Sequence, residues 1–250
     1  KRAPASIRMV SVMPCTSKKH EANREEMSVE GHRDVDAVLT TRELARMIQQ
    51  AGIDFTRLDD QDFDQLLGES TGAGVIFGAT GGVMEAALRT LTDILENRDM
   101  EFVDYHQVRG VEGEKITGIK EATLTLAGTE VNVAVVSGIK NVRTLVNLME
   151  KGEKTYHFIE FMACPGGCVG GGGQPHISAY SRGEESVISK RAQALYQEDR
   201  DKPLRKSHLN PMVTKIYEDY LEKPNSHKAH QLLHTTYKKR TAYPSAGNRS

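Results

Sequence analysis

Hydrophobic positions fall in short runs between polar turns over the first two thirds of the chain, and in helical stripes over the last third. Residues 7–12 are apolar and branched, predicting a strand that runs directly into Met13-Pro14-Cys15. Residues 16–27 are dense in charge. Thr41 is placed to cap a helix whose apolar stripe of Leu44, Ala45, Ile48 and Ala51 stops at Gly52. The acidic residues 54–67 predict a short strand and then a surface helical turn. Glycine-rich residues 72–82 lead into a helix over 83–96. Residues 102–136 are strand-rich, with 122–127 and 130–136 flanking Gly128-Thr129 as a two-residue hairpin turn. A helix over 141–151 is followed by the aromatic and branched run 156–162, which reads as a buried strand.

Beyond Pro175 the residues 186–200, 211–221 and 226–239 predict three polar helices, separated by Pro203 and Pro224. Their apolar content is too low for an independent core, so they are expected to form an arm packed over the body. The last ten residues, 241–250, are expected to be disordered. The pattern therefore predicts an α/β protein: a largely parallel twisted sheet flanked by helices over 1–180, and a C-terminal helical arm over 181–240.

Composition narrows the function classes. The 250 residues carry a formal net charge of -1, which draws the protein neither to nucleic acid nor to an anionic membrane. A hydrophobic content of 38% suffices for a core, and no apolar run reaches the ~20 residues of a membrane span. No signal peptide is visible, so cytoplasm is expected, with periplasm as the alternative. The chain starts at Lys1 and enters an apolar run almost at once, as expected of a piece of something longer.

Three cysteines make no disulfide framework; the odd count argues for reduced thiols used as ligands. Cys164 and Cys168 are separated by three residues in Glu160-Phe-Met-Ala-Cys-Pro-Gly-Gly-Cys-Val-Gly-Gly-Gly-Gly-Gln-Pro175, a run with six glycines and two prolines. Such a run folds the backbone tightly around something. The bland alternative is a glycine-rich turn with two core cysteines, but packing alone calls for no such glycine run beside paired thiols. Cys15 repeats the arrangement: a strand, a methionine two residues before the cysteine (Met13, Met162) and a proline beside it. At one edge of a parallel sheet the three thiols can converge. Their chemistry points to an iron–sulfur cluster or to zinc. A 4Fe-4S cubane takes four thiolates, so its fourth ligand would lie outside these residues.

At these residues the chain resembles the iron-only (FeFe) hydrogenases. Met13-Pro-Cys-Thr-Ser-Lys-Lys-His-Glu21 matches their MPCxxKxxE motif, and the run from Glu160 to Pro175 their ExMxCxxGCxxGGGQP motif. Residues 74–89 and 226–239 are also similar to segments of that family. The resemblance implies an H-cluster, a 4Fe-4S cubane joined through one cysteine sulfur to a diiron subsite with CO, cyanide and dithiolate ligands. It implies Cys15 and Cys164 as cubane ligands and Cys168 as the bridge to the diiron unit. It implies Lys18 as hydrogen-bond donor to a cyanide ligand, Met13, Met162, Phe77 and Gly78 as pocket walls, and an outer role for Glu21. The family's TSCCP-type motif, which supplies the fourth cubane ligand and a proton-passing cysteine, is absent from the 250 residues. So residues 1–180 read as the second lobe of a hydrogenase H-cluster domain, inactive as a fragment alone. Its partners would be the missing N-terminal half or a companion chain, and a redox carrier such as ferredoxin.

Other readings weigh less. A hydrogenase-like iron–sulfur protein for cluster assembly or sensing would keep the cysteines without the diiron unit. Zinc would need a fourth ligand such as His176, which otherwise reads as an outer donor. Gly78-Ala-Thr-Gly81-Gly-Val-Met84 follows a predicted strand and opens a helix as a dinucleotide loop does, but Met84 stands where the third glycine belongs. Lys18 on composition is one more solvated charge; its offset of three from Cys15 singles it out. His227, His230 and His234 share a helix face without acidic or thiol partners, and read as solvated.

Overall fold

Thr40, one residue before the expected cap, opens the first long helix. Its hydroxyl accepts from the Glu43 amide at 3.2 Å while the Glu43 carboxylate accepts from the Thr40 amide at 2.8 Å. That reciprocal pair satisfies two amides that a helix start leaves open. The computed structural model describes residues 3–62, 64, 69–101, 104–113, 115–177 and 186–237. The tail 241–250, the end of the last expected helix and parts of 54–67 and 102–136 lie outside them.

The chain divides into two compact units, Lys1–Val213 and Thr214–Ser250. In the first, strand β1 (Val10–Met13) is followed by the single helical turn α1 (Lys18–Glu21), strand β2 (Ala37–Thr40) and helix α2 (Thr41–Gln50). Helix α3 (Gly82–Glu96) leads to strands β3 (Ile119–Leu126) and β4 (Thr129–Ser137), helix α4 (Ile139–Glu150), strand β5 (Phe158–Met162) and helix α5 (Val187–Asp201).

The α/β class and the helix-flanked sheets are as the sequence predicts. Parallel pairing holds for β1 with β2 and for β4 with β5, but β3 and β4 are antiparallel, and the strands belong to separate sheets. The hairpin turn sits at Ala127-Gly128, one residue earlier than expected. Both residues have positive φ, 46° and 78°, the pairing a tight hairpin needs to match strand twist. The residues before Gly78, where the dinucleotide-loop reading needs a strand, are helical instead. Thr71 caps Gly72–Val75 by accepting from the Gly74 amide at 3.1 Å, and Gly72 leaves room for Asp199, which a side chain there would overlap. The dinucleotide-loop reading thereby loses its strand. Residues 55–57 form a 3-10 turn where a strand was expected, because Asp54 caps it through the Thr56 amide.

The β3–β4–β5 sheet is covered on both faces. Leu124, Leu126, Val133 and Val135 pack with Met84 and Leu88 of α3, while Ala134 and Val136 pack with Leu145 of α4. Alternation along β4 thus feeds two cores from one strand. Helix α5 adds Ala192 and Tyr196 to a third cluster with Ile76, Ala79 and Val169. A buried ion network fixes α5 to α3: Arg89 donates to both Asp199 carboxylate oxygens at 2.7 and 2.8 Å and to Glu85 at 2.8 Å. Arg109 and Arg205 extend it through Glu85, Asp104 and Asp199.

In the second unit a π-helical turn, Tyr217–Leu221, precedes helix α6 (His227–Leu233), capped by the Ser226 hydroxyl on the Ala229 amide. His227, His230 and His234 are exposed, as a solvated helix face should be. No helix among the described residues is long and apolar enough to cross a membrane.

Candidate iron–sulfur site

Two of the cysteines follow strands and the third opens a turn. Cys15 lies two residues past the end of β1, in the turn before α1; Cys164 lies two past the end of β5; Cys168 opens a 3-10 turn, Cys168–Gly170. β1 and β5 are in different sheets, so no common sheet edge brings the loops together. The glycine run does. Gly173 donates its amide to the Pro14 carbonyl at 2.9 Å, and a side chain on Gly171 would overlap that same carbonyl oxygen. The two cysteine loops therefore touch backbone to backbone, a contact open only to glycine.

The Cys164 loop is held just as closely from behind. Ser137, at the end of β4, donates its hydroxyl to the Cys164 carbonyl at 3.3 Å and accepts from the Gly166 amide at 2.8 Å. Gly166 in turn accepts from the Thr80 amide at 3.0 Å. Gly167, at φ 95°, lies so close that an added Cβ would stand 2.6 Å from the Thr80 nitrogen. This contact sets the turn Ile76–Gly78, with Phe77 and Gly78, beside the Cys164–Cys168 loop. Two arginines grip the glycine run: Arg42 of α2 donates to the Gln174 carbonyl at 2.7 Å, and Arg191 of α5 to Val169 at 3.0 Å and Pro175 at 3.2 Å.

All three cysteines are free and half-buried. Burial pushes the Cys168 thiol above its ordinary value, and the neighbouring Cys15 and Cys164 push it the same way, against the pull of the Lys18 ammonium. Four of the sequence-singled residues thus share one electrostatic neighbourhood. Lys18 also pairs with Glu21 at 2.8 Å. Met13, Lys18 and Glu21 line one pocket of about 150 Å³ with Met27, Val35 and Val38. Met162 ends β5 half-buried and Phe77 is 44% exposed. His176 is exposed.

Among the described residues no three His, Cys, Asp or Glu side chains cluster tightly enough to hold a single metal ion. A lone zinc asks for that cluster; a cubane, bound through a different iron by each cysteine, asks for thiols set wider apart. Three free, half-buried thiols on loops that touch backbone to backbone fit an iron–sulfur cluster better than a lone zinc.

Sequence reasoning assigned no role to Arg42 or Arg191, and none to Glu160 although it opens the matched motif. The arginines look like any basic residue on a helix face. Glu160 is a lone carboxylate in an otherwise apolar strand, and that oddity was a usable signal.

The family model described as "Iron only hydrogenase large subunit, C-terminal domain" matches residues 1–172. The chain belongs to the iron-only hydrogenase family. A second model, "Iron hydrogenase small subunit", matches residues 185–240. The chain is 49% identical to Iron hydrogenase 1 of Clostridium pasteurianum over 94% of its own length and 40% of that protein's. It is 50% identical to the NADP-reducing hydrogenase subunit HndD of Solidesulfovibrio fructosivorans, over 93% and 38%. A cytosolic Fe-S cluster assembly factor of Xenopus tropicalis is 32% identical over 94% of the chain and 48% of the relative. A solved FeFe-hydrogenase structure, of a HydA1 variant from Chlamydomonas reinhardtii, superposes with a TM-score of 0.73 at 37% identity. It covers 94% of this chain and 64% of that one. The chain thus spans about 40% of the length of the Clostridium and Solidesulfovibrio relatives.

Proposed function

We propose that this chain carries the half of an H-cluster site built on Cys15, Cys164 and Cys168, and that with its upstream part it interconverts protons, electrons and hydrogen gas. The observation that supports this most is the Gly173–Pro14 closure, which sets three half-buried thiols on touching loops. Cys15 and Cys164 would hold the 4Fe-4S cubane with a fourth cysteine from an upstream segment, and Cys168 would bridge to the diiron subsite. The bound group, with its CO, cyanide and dithiolate ligands, supplies the redox iron at which hydrogen is made or split.

The chain's own residues bind and shield it. Lys18 offers an ammonium donor suited to an anionic diatomic ligand, and Glu21 holds that ammonium in place until it is needed. Met13, Met162, Phe77 and Gly78 present soft or apolar surface that keeps water out. The missing N-terminal half, or a companion chain, would close the other side and bring the route to a redox carrier such as ferredoxin. Cytoplasm is the compartment proposed; the periplasmic relative from Nitratidesulfovibrio vulgaris marks the alternative.

Infrared spectroscopy of the full-length protein, in the window where metal-bound CO and cyanide absorb, tests the reading. Bands are expected, and Cys168→Ala should abolish them along with hydrogen evolution; full activity in that variant would sink the assignment. The assembly-factor relative supports a second reading. Iron and sulfide at full count without those bands would select it.

A further inference from the structure

Helix α3 begins without a cap of its own. Its first flanking residue is Gly81, at φ 90°, which has no side chain to offer, and a Cβ there would overlap the Val108 carbonyl. A 15-residue helix starting inside the protein needs partners for its leading amides. They come from another element. Glu160, at the centre of β5 and 5% exposed, accepts from the Gly81 amide at 2.6 Å through one carboxylate oxygen and from the Met84 amide at 2.8 Å through the other. Burial pushes the Glu160 carboxyl above its ordinary value, and the helix-start amides pull the other way by donating to its oxygens.

The consequence lies in what those amides adjoin. Gly81 follows Thr80, whose amide holds the Gly166 carbonyl and whose nitrogen Gly167 crowds. Glu160 itself stands four residues before Cys164 on the same strand. One carboxylate therefore ties together two touching segments: the turn carrying Phe77 and Gly78, and the loop carrying Cys164 and Cys168. We infer that Glu160 is a positioning residue for the cluster loops, clamping the start of α3 so that the Phe77–Thr80 turn and the Cys164–Cys168 loop keep a fixed spacing. This rests on the cysteines' being the cluster ligands.

Glu160→Gln is the discriminating change, because it keeps the size of the side chain and turns one acceptor into an amino group facing a backbone N–H. In the full-length protein, amides at 81–84 and 166–167 should exchange about tenfold faster, while those of α5 stay at wild-type rates. Iron and acid-labile sulfide per chain should fall about threefold or more, a deficit of positioning that needs no turnover to be seen. Glu160→Asp, which keeps the carboxyl group on a shorter arm, should recover part of both and should fold if Gln does not.

Faster exchange at these amides with wild-type iron content would overturn the proposal, as would a uniform acceleration over the whole chain. Wild-type exchange at 166–167 in a folded Glu160→Asp variant that has lost its iron would overturn it too. The hydrogenase reading fails separately: a wild-type protein with full iron and sulfide but no CO or cyanide bands removes that reading and leaves this one standing.

Discussion

Gly173 donates its amide to the Pro14 carbonyl at 2.9 Å, joining the loop of Cys168 to the loop of Cys15 across two sheets. A Cβ on Gly173 would stand 2.8 Å from the Pro14 carbonyl carbon and 3.0 Å from the Cys15 nitrogen and the Thr40 Cβ, with backbone on two sides that cannot turn away. Gly173→Ala should therefore part the loops while leaving the cores intact. Iron content of the full-length protein should fall by more than half, with a melting temperature within a few degrees of wild type.

The buried guanidinium of Arg89 should be the most sensitive single position for stability. It is fully buried and bonds Asp199, Glu85 and the Arg205 carbonyl. Arg89→Met takes from Asp199 its main partner and from Glu85 one of its two guanidinium partners, at a cost of about 3–5 kcal/mol. Urea unfolding with the midpoint and slope compared to wild type measures it.

The same network sets an acid limit. Burial pushes the Asp199 carboxyl up, but its bonds to Arg89 and Arg205 outweigh this and hold it below the ordinary aspartate range; Asp104 and Asp93 are lowered in the same way by Arg205 and Lys206. Carboxyls lowered in the folded state bind protons more readily once unfolded, so protonation favours unfolding. Their contribution is complete above about pH 4, the unfolded aspartate value, and is lost as pH falls through the lower folded values. Melting temperature against pH should drop below that point, and Asp199→Asn should flatten the drop while lowering the neutral plateau.

Thr40→Ala tests the capping pair. The helix start would lose the Glu43 amide's partner, at a cost of about 1 kcal/mol, and thermal unfolding would show it. Because the Thr40 Cβ is retained, the packing against Gly173 stays, so iron content should be unchanged.

Much of this was legible in the residues, and the failures share a cause. The stripe of α2 and the apolar faces around α3 and α4 carry local periodicity, and the structure has those helices within two residues of their expected starts. Local signals also marked the cysteine loops. Sheet membership is not local: the hairpin turn puts β3 beside β4, but nothing in β1 says which neighbour it pairs with, so one largely parallel sheet was expected where the strands fall into separate sheets. The hairpin slipped by a residue because Ala127 accepts a positive φ that its type disfavours. The residues before Gly78 were expected as a strand because Thr71's cap and Asp199's contact with Gly72 lie beyond any pattern in their own window. Glu160, Arg42 and Arg191 act on partners tens of residues away, and only the fold names those partners.

Helix α5 lies in the stretch matched by the small-subunit family, and residues 1–172 belong to the large-subunit match. Yet its hold on the body is the Arg89–Asp199 pair, Arg191 on the glycine run and Tyr196 in a shared core. Those are the contacts of an interface between subunits, merely strung on one backbone. A chain cut between the two matched stretches, beyond Pro175, should then stay assembled as two pieces.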